Sequence, residues 1–206
     1  MKKFIAVSVL LFLVGFSAEA QFFQFTRVTE NGQSLNAVPR FSWRLPLNST
    51  LFELGKDASM FGGMLLKNEG FIYDRNGSRF KHRTISFGPN IGFFIPIKNN
   101  LKFVTAYGVD LNLHYKEKEF VGERRRNKEI RVSEWGSDRV GLFNHFVQGG
   151  FTLSDNIYVF GEYYFNDFFN ADFTETVNGT SVQPYQSIEV SRFNLGVTVL
   201  ILDSWW

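Results

Sequence analysis

The sequence predicts an all-β chain: a transmembrane up-and-down antiparallel β-barrel of about eight strands. Three observations carry that prediction. The first is period. In "RTISFGPNIGFFIPI", residues 83–97, Ile85, Phe87, Ile91, Phe93, Ile95 and Ile97 share one parity, and Thr84, Ser86, Gly88, Asn90 and Gly92 share the other. A two-residue period marks a strand with unlike faces, and this run far exceeds the ~5–6 residues usual in soluble sheets. The second is composition. There are 25 Phe, and aromatics reach 17% of the chain. Yet mean hydropathy is only -0.11, and past the N-terminal leader no stretch holds the ~20 apolar residues of a helical span. The third is the alternation of connections. Short links near Lys98–Asn100 and Ser154–Asn156 alternate with longer polar ones near Asp74–Lys81, Lys118–Glu134 and Glu175–Gln186. Outer-membrane barrels pair short periplasmic turns with longer outer loops in this way.

The elements follow in order. "MKKFIAVSVLLFLVGFSAEAQ" has two lysines, an apolar run from Phe4 to Phe16, and small residues at Ala18 and Ala20. It reads as a secretory signal peptide over 1–20, cut before Gln21, with the barrel domain over 21–206. The apolar run is too short for a membrane anchor. The first strand, within 21–30, is the weakest. Residues 40–47 set Phe41, Trp43, Leu45 and Leu47 against Arg40, Ser42, Arg44 and Pro46. Residues 58–73 form a strand of undecided parity. After 83–97, residues 101–115 place Phe103, Tyr107, Val109, Leu111 and Leu113 opposite Asp110, Asn112 and His114. Val140–Leu153 alternates less cleanly, with Asn144 and Gln148 on the inner face. Residues 157–166 set Ile157, Val159 and Tyr163 against Glu162, and 191–201 set Phe193, Leu195 and Val197 against Arg192 and Asn194. Gly32, Gly77 and Gly179 each follow Asn and mark turns.

A secreted soluble barrel would turn its apolar face inward. An eight-stranded interior is just wide enough for its side chains and does not hold the Phe, Tyr, Ile and Leu of every strand. Small residues such as Ser86 and Gly88 suit a narrow packed lumen instead.

Several residues have the types that carry chemistry. Arg40, Arg44, Asp110, Glu162 and Arg192 have inward parity, and charges in a narrow bore must be paired or hydrated. The reading is a polar network that plugs the lumen, with an ion or solute path as the alternative. In "GERRRNKEIR", Arg124, Arg125, Arg126, Lys128 and Arg131 fall on the longest outer connection. They suit contact with lipopolysaccharide phosphates or an acidic envelope protein, against a plain solvated loop. His82 and His114 have inward parity; His145 faces out or is ambiguous. Ser137, His145 and Glu134 are the nearest set for a hydrolase, and nothing in their spacing brings them together. There is no Cys and no close His/Asp/Glu cluster, so neither metal nor cofactor is expected. Without the leader, the chain keeps 20 basic and 19 acidic side chains, which gives no pull toward nucleic acid.

The blocks "GFIYDRNGSRFKHRTISFGPNIGF", "HYKEKEF" and "EWGSDRV" resemble the small outer-membrane β-barrel proteins of Bacteroidota, the PorT-like group. The resemblance implies an outer-membrane location and contact with outer-membrane lipid. The expected function is that of a small integral barrel: structural, surface-binding or related to secretion and assembly, and not an enzyme. A lipid-modifying hydrolase and a narrow channel are the alternatives.

Overall fold

The computed structural model describes residues 20–55, 58–98, 101–121, 127–154 and 157–199. The leader expected over 1–20, apart from Ala20, lies outside the described residues, as do Arg124, Arg125, Arg126, Trp205 and Trp206.

Thirteen strands occur among the described residues. They are β1 (Ala20–Glu30), β2 (Gln33–Ser34), β3 (Asn36–Val38), β4 (Arg40–Leu54), β5 (Ala58–Arg75), β6 (Ser78–Lys98), β7 (Leu101–Val121), β8 (Asn127–Trp135), β9 (Phe143–Ser154), β10 (Ile157–Tyr164), β11 (Glu175–Val177), β12 (Thr180–Val182) and β13 (Ile188–Val199). Eight of them make an antiparallel ring: β1, β4, β5, β6, β7, β9, β10 and β13. The ring closes where β1 pairs with β13, from Gln21↔Val199 to Glu30↔Ile188. Closure leaves no open edge, which the hydrocarbon interior demands of a sheet. β3 extends the β4 stave along β5, and β8 extends the β9 stave along β7.

The outer face carries the apolar belt. Ile91, Phe93, Ile95 and Ile97 of β6, Phe143, Val147, Phe151 and Leu153 of β9, and Phe193 and Leu195 of β13 are exposed, while most of their alternate neighbours, such as Gly92, Phe94, Phe146, Gly150 and Asn194, are buried. With a rise of about 3.3 Å per residue and a tilt of ~35–45°, the stretch Phe143–Leu153 climbs about 25 Å, the height of the apolar band in such barrels. On β6 the band runs from Ile85 to Ile97. Beyond it the outward positions become Arg83, Lys81 and Arg79, so the upper part of the strand stands above the hydrocarbon.

Three expectations about the connections need correction. The segment Asp74–Lys81 is not a long polar loop. β5 and β6 pair out to Arg75↔Ser78 and are joined by the two-residue turn Asn76-Gly77, with φ of 50° and 79°. Positive φ at both positions defines the tight hairpin turn that suits strand twist, and Asn-Gly is its preferred sequence. Likewise Lys118–Glu134 is mostly strand, because β7 and β8 pair from His114↔Trp135 to Val121↔Asn127. Glu175–Gln186 contains the hairpin β11–β12. These segments read as loops because they are charged, and strands that stand above the membrane meet water. Asn31-Gly32 and Asn178-Gly179 repeat the same turn geometry.

A further correction concerns parity. On β7, Ser86 pairs with Asn112 but Ile85 pairs with His114. Leu113 is the extra residue of a bulge. Below it even residues face inward; above it odd ones do, and Tyr115, Glu117 and Glu119 are buried. His114 therefore faces outward, at 4.9 Å from the Trp135 ring. Trp135 is 74% exposed, at the upper edge of the belt where interfacial aromatics are expected.

Candidate functional site

Inward residues of the staves stack into four layers along the lumen. Lowest is an apolar layer of Phe61, Phe94, Val104, Tyr158 and Phe160. Phe61 and Phe94 stack at 4.5 Å. Their rings fit because Gly92, Gly108 and Gly196 leave room. A Cβ on Gly92 would lie 2.5 Å from Phe61, one on Gly108 2.3 Å from Phe146, and one on Gly196 2.3 Å from Phe160.

Above it lies an ionic layer. β4 supplies Arg44, β5 Lys67 and Glu69, β7 Asp110, and β10 Glu162 and Tyr164. Arg44 bridges Glu69 and Glu162, the latter at 2.5 Å. Lys67 Nζ lies 2.6 Å from Asp110 Oδ2, 3.4 Å from Glu69 and 3.5 Å from Glu162. It also donates to Tyr164 Oη at 2.9 Å, and that hydroxyl donates to Glu69. Arg44 donates to Gln148 Oε1 at 2.9 Å, and Gln148 in turn donates to Tyr158 Oη. The cations also sit on rings: Lys67 is 3.7 Å from the Phe146 centroid and Arg44 4.7 Å from that of Phe160. All five charged groups are nine-tenths or more buried. Isolated charges are not tolerated at such depth, whereas a mutually bonded set is.

The third layer is small and polar. A cavity of about 40 Å³ is lined by Thr84, Ser86, Asn112, Asn144, Asn194 and Asp110, among others. It is large enough for a few ordered waters. Asp110 Oδ1 and Asn144 Oδ1 are buried and accept no hydrogen bond from the described protein groups. Water in this cavity has the donors they need.

The topmost layer is an aromatic cap. Phe71, Tyr73, Tyr115, Phe169 and Tyr185 pack with Val28, Val140 and Ile188. His82 is buried among them and meets Tyr115 Oη at 2.7 Å. Tyr115 and Tyr185 both donate to Glu117 Oε2, at 3.1 and 2.9 Å. In the loop, burial first and the Glu117 charge second push the Tyr185 hydroxyl up to about 12, so it stays a donor. Arg139 closes the edge, bridging Glu175 at 2.7 Å and lying over the Phe173 ring.

Of the five lumen residues expected from parity, the structure brings together Arg44, Asp110 and Glu162, with Lys67 as the shared partner of both carboxylates. Arg40 is buried but apart, donating to Ser42 Oγ and to Asn68. Arg192 is not in the lumen network. β13 bulges where Asn194 pairs with Thr26 but Val190 with Val28, so Arg192 leaves the strict alternation. Its exposed guanidinium holds Asp167 in two hydrogen bonds of 2.8 and 2.9 Å. Lys67 and Glu69 were missed because their strand has glycine or amide at Gly62, Gly63 and Asn68, which blurs both parities. On β8, Arg131 bonds Glu119 and Lys128 pairs opposite Phe120.

The residues of the hydrolase alternative do not assemble. Ser137 Oγ donates to Glu134 at 2.7 Å. His145 lies on the belt face, bonded to Tyr107 Oη at 2.7 Å. The one His–Ser contact among the described residues is His114 Nε2 with Ser133 Oγ, at 3.2 Å. No described carboxylate meets the other ring nitrogen, which is buried without a hydrogen-bond partner.

No family model and no curated protein matches this sequence. Among solved structures the chain is similar to the attachment invasion locus protein Ail of Yersinia pestis, solved alone and with the heparin analogue sucrose octasulfate. In both cases identity is 16%, over 88% of this chain and 95% of that one, with a TM-score of 0.35. It is also similar to the outer membrane enzyme PagL, with 14% identity over 89% of this chain and 100% of that one and a TM-score of 0.43. The closed ring and its apolar belt themselves make the fold an eight-stranded antiparallel β-barrel of the transmembrane type.

Proposed function

We propose that this chain is a small integral outer-membrane barrel whose lumen is a structural plug and whose work is done on its outer surfaces: binding, or assembly with other envelope components. The observation that supports this reading is the layered lumen. Ion pairs fill its middle, and aromatic layers close it above and below. A solute path would need a continuous bore, and the cavity of about 40 Å³ lies between the ionic layer and the cap. The PorT-like relationship, the outer-membrane address and a role near secretion or assembly belong to the same reading. They are supported by the three sequence blocks, the leader and the belt. The arginines at 124–126, with Lys128 and Arg131, are proposed as an outer contact for phosphates or an acidic partner.

Single-channel recording of the purified protein in a planar bilayer tests the plug. No steady conductance is expected. A stable ohmic current would move the channel alternative to first place. The hydrolase alternative now rests on His114 and Ser133. Without a carboxylate to orient the imidazole, this pair lacks the third group of a hydrolytic triad. Incubation with lipid A should release no fatty acid, and release that His114→Ala abolishes would overturn this assignment.

A further inference from the structure

The outward wall above the belt carries a second charge cluster that the lumen does not use. On β6 the outward positions rise as Ile85, Arg83, Lys81; on β7, past the bulge, as His114, Lys116, Lys118. The register sets Arg83 opposite Lys116 and Lys81 opposite Lys118. These are two like-charge pairs, one above the other. Residues directly opposite on one face stand about 4.5–5.5 Å apart at Cβ, and like charges there are destabilising. The sequence arranges this by alternation. In "HYKEKEF" the lysines fall on the outer face, and Glu117 and Glu119 fall inside. There Glu117 serves the tyrosines and Glu119 bonds Arg131. Among the described residues Lys81, Arg83, Lys116 and Lys118 form no ion pair. Of the nearby carboxylates, Asp74 is held by Arg79 at 2.9 Å.

The surroundings define what fits. Below the cluster lie Trp135, His114 and Ile85, at the upper edge of the apolar belt. Beside Arg83 on β5 is Gly70, which has no side chain to cover it. Beside Lys116 on β8 is the hydroxyl of Ser133. The Lys118 ammonium is shifted down to about 8, by burial first and then by the charges of Lys128, Arg83 and Lys116, so the cations lie within reach of one another. Within about a Debye length of the hydrocarbon edge, a set of cations with no ion pair among the described residues calls for a multivalent anion anchored at that height.

We propose that Arg83, Lys116, Lys81 and Lys118 form a binding site for the phosphorylated headgroup of an outer-leaflet glycolipid, its acyl chains lying on the belt below. Arg83 supplies a planar fork for phosphate oxygens and the lysines supply point charges. This deepens the surface-binding reading and rests on it. A barrel that conducts ions can still hold lipid on its wall, so failure of the conductance test and failure of this one are separate results.

The test is retention of lipid by the intact detergent-purified barrel, measured by native mass spectrometry. Three probes are used: bisphosphorylated lipid A, the same lipid A with its phosphates removed, and inorganic pyrophosphate as competitor. The parent should retain the phosphorylated lipid, and the double variant Arg83→Gln/Lys116→Gln should retain at least about tenfold less, given the worth of each basic side chain near a charged lipid surface. The dephosphorylated lipid should be held equally weakly by both. The variant's folding is read separately by its thermal midpoint in neutral detergent, which should stay the same or rise, because the Arg83–Lys116 like-charge pair is relieved. A variant with an undiminished midpoint that keeps lipid A as the parent does overturns the proposal. Equal parental retention of the dephosphorylated lipid also overturns it, by removing the phosphate. Full displacement by an equimolar amount of pyrophosphate would overturn the lipid anchor and assign a site for free anions.

Discussion

The bore and the outer wall of the barrel carry two sets of charges, the inner on β4, β5, β7 and β10 and the outer, somewhat higher, on β6 and β7, and the two obey opposite rules. Inside, Arg44 and Lys67 are surrounded by Glu69, Asp110 and Glu162, each cation touching at least two carboxylates. Outside, Arg83 faces Lys116 and Lys81 faces Lys118, with no described counter-charge between them. The interior must satisfy itself within the chain and the few waters its cavity can hold, because bulk solvent does not surround it. The wall above the belt borders headgroups and water, and its counter-charge can come from elsewhere. An unpaired set is therefore informative only on the surface, and a complete set only in the core.

The largest expected effect breaks the inner set. Lys67→Met leaves three carboxylates facing one arginine and should destabilise the barrel by ~3–5 kcal/mol, read as a urea unfolding titration in lipid vesicles. A loss under ~1 kcal/mol would show that water from the cavity beside Asp110 enters and screens the layer. Next comes the boundary between the sets. Ile91 lies on the belt near mid-height, and Ile91→Arg should cost ~2–4 kcal/mol, the midplane penalty, in the same titration. The same substitution at Ile72, opposite Lys81 above the belt, should cost much less; equal costs would show that the belt is misplaced on this wall. Third, Gly108→Ala drives a methyl against the Phe146 ring that carries Lys67. Overpacking of this kind costs typically ~1–3 kcal/mol, and the effect should shrink in a Lys67→Met background if the ring's role is to seat that cation. Smallest is the outer set itself. Lys81→Gln, which removes one like-charge pair, should raise stability by ~0.2–1 kcal/mol in neutral detergent at low salt, and the gain should fade as salt is added. A loss of stability instead would mean that Lys81 already has its partner within the chain.

How much of this was legible beforehand depends on what each feature leaves in the sequence. The ring of staves was readable because a two-residue period repeats over long stretches, as in 83–97, and the inward place of Arg44, Asp110 and Glu162 came with it. The partner that joins them was not, because the β5 strand sets Gly62 and Asn68 on its outer parity and Gly63 on its inner one. Bulges were equally silent. One extra residue at Leu113 and two near Arg192 leave no mark in composition, yet they reversed the side assigned to His114 and removed Arg192 from the bore. Strands above the membrane were mistaken for loops at 74–81 and 118–134, since water accepts the same polar residues in either form. Asn76-Gly77 was the readable exception, because its turn chemistry is local.

The bulge at Leu113 acts on β7 as a phase shifter. It leaves the lower half of the strand in step with the belt and puts the upper half one beat later, so that a repeating Lys-Glu text is sorted by sign onto two sides of a wall. A chain one residue shorter at that point would carry the same letters with their meaning inverted: acids toward the membrane surface, lysines against the tyrosine cap. The electrical character of the barrel's outer rim is thus encoded less by which charges are present than by a single count, and the loss of one uncharged residue is enough to reverse it.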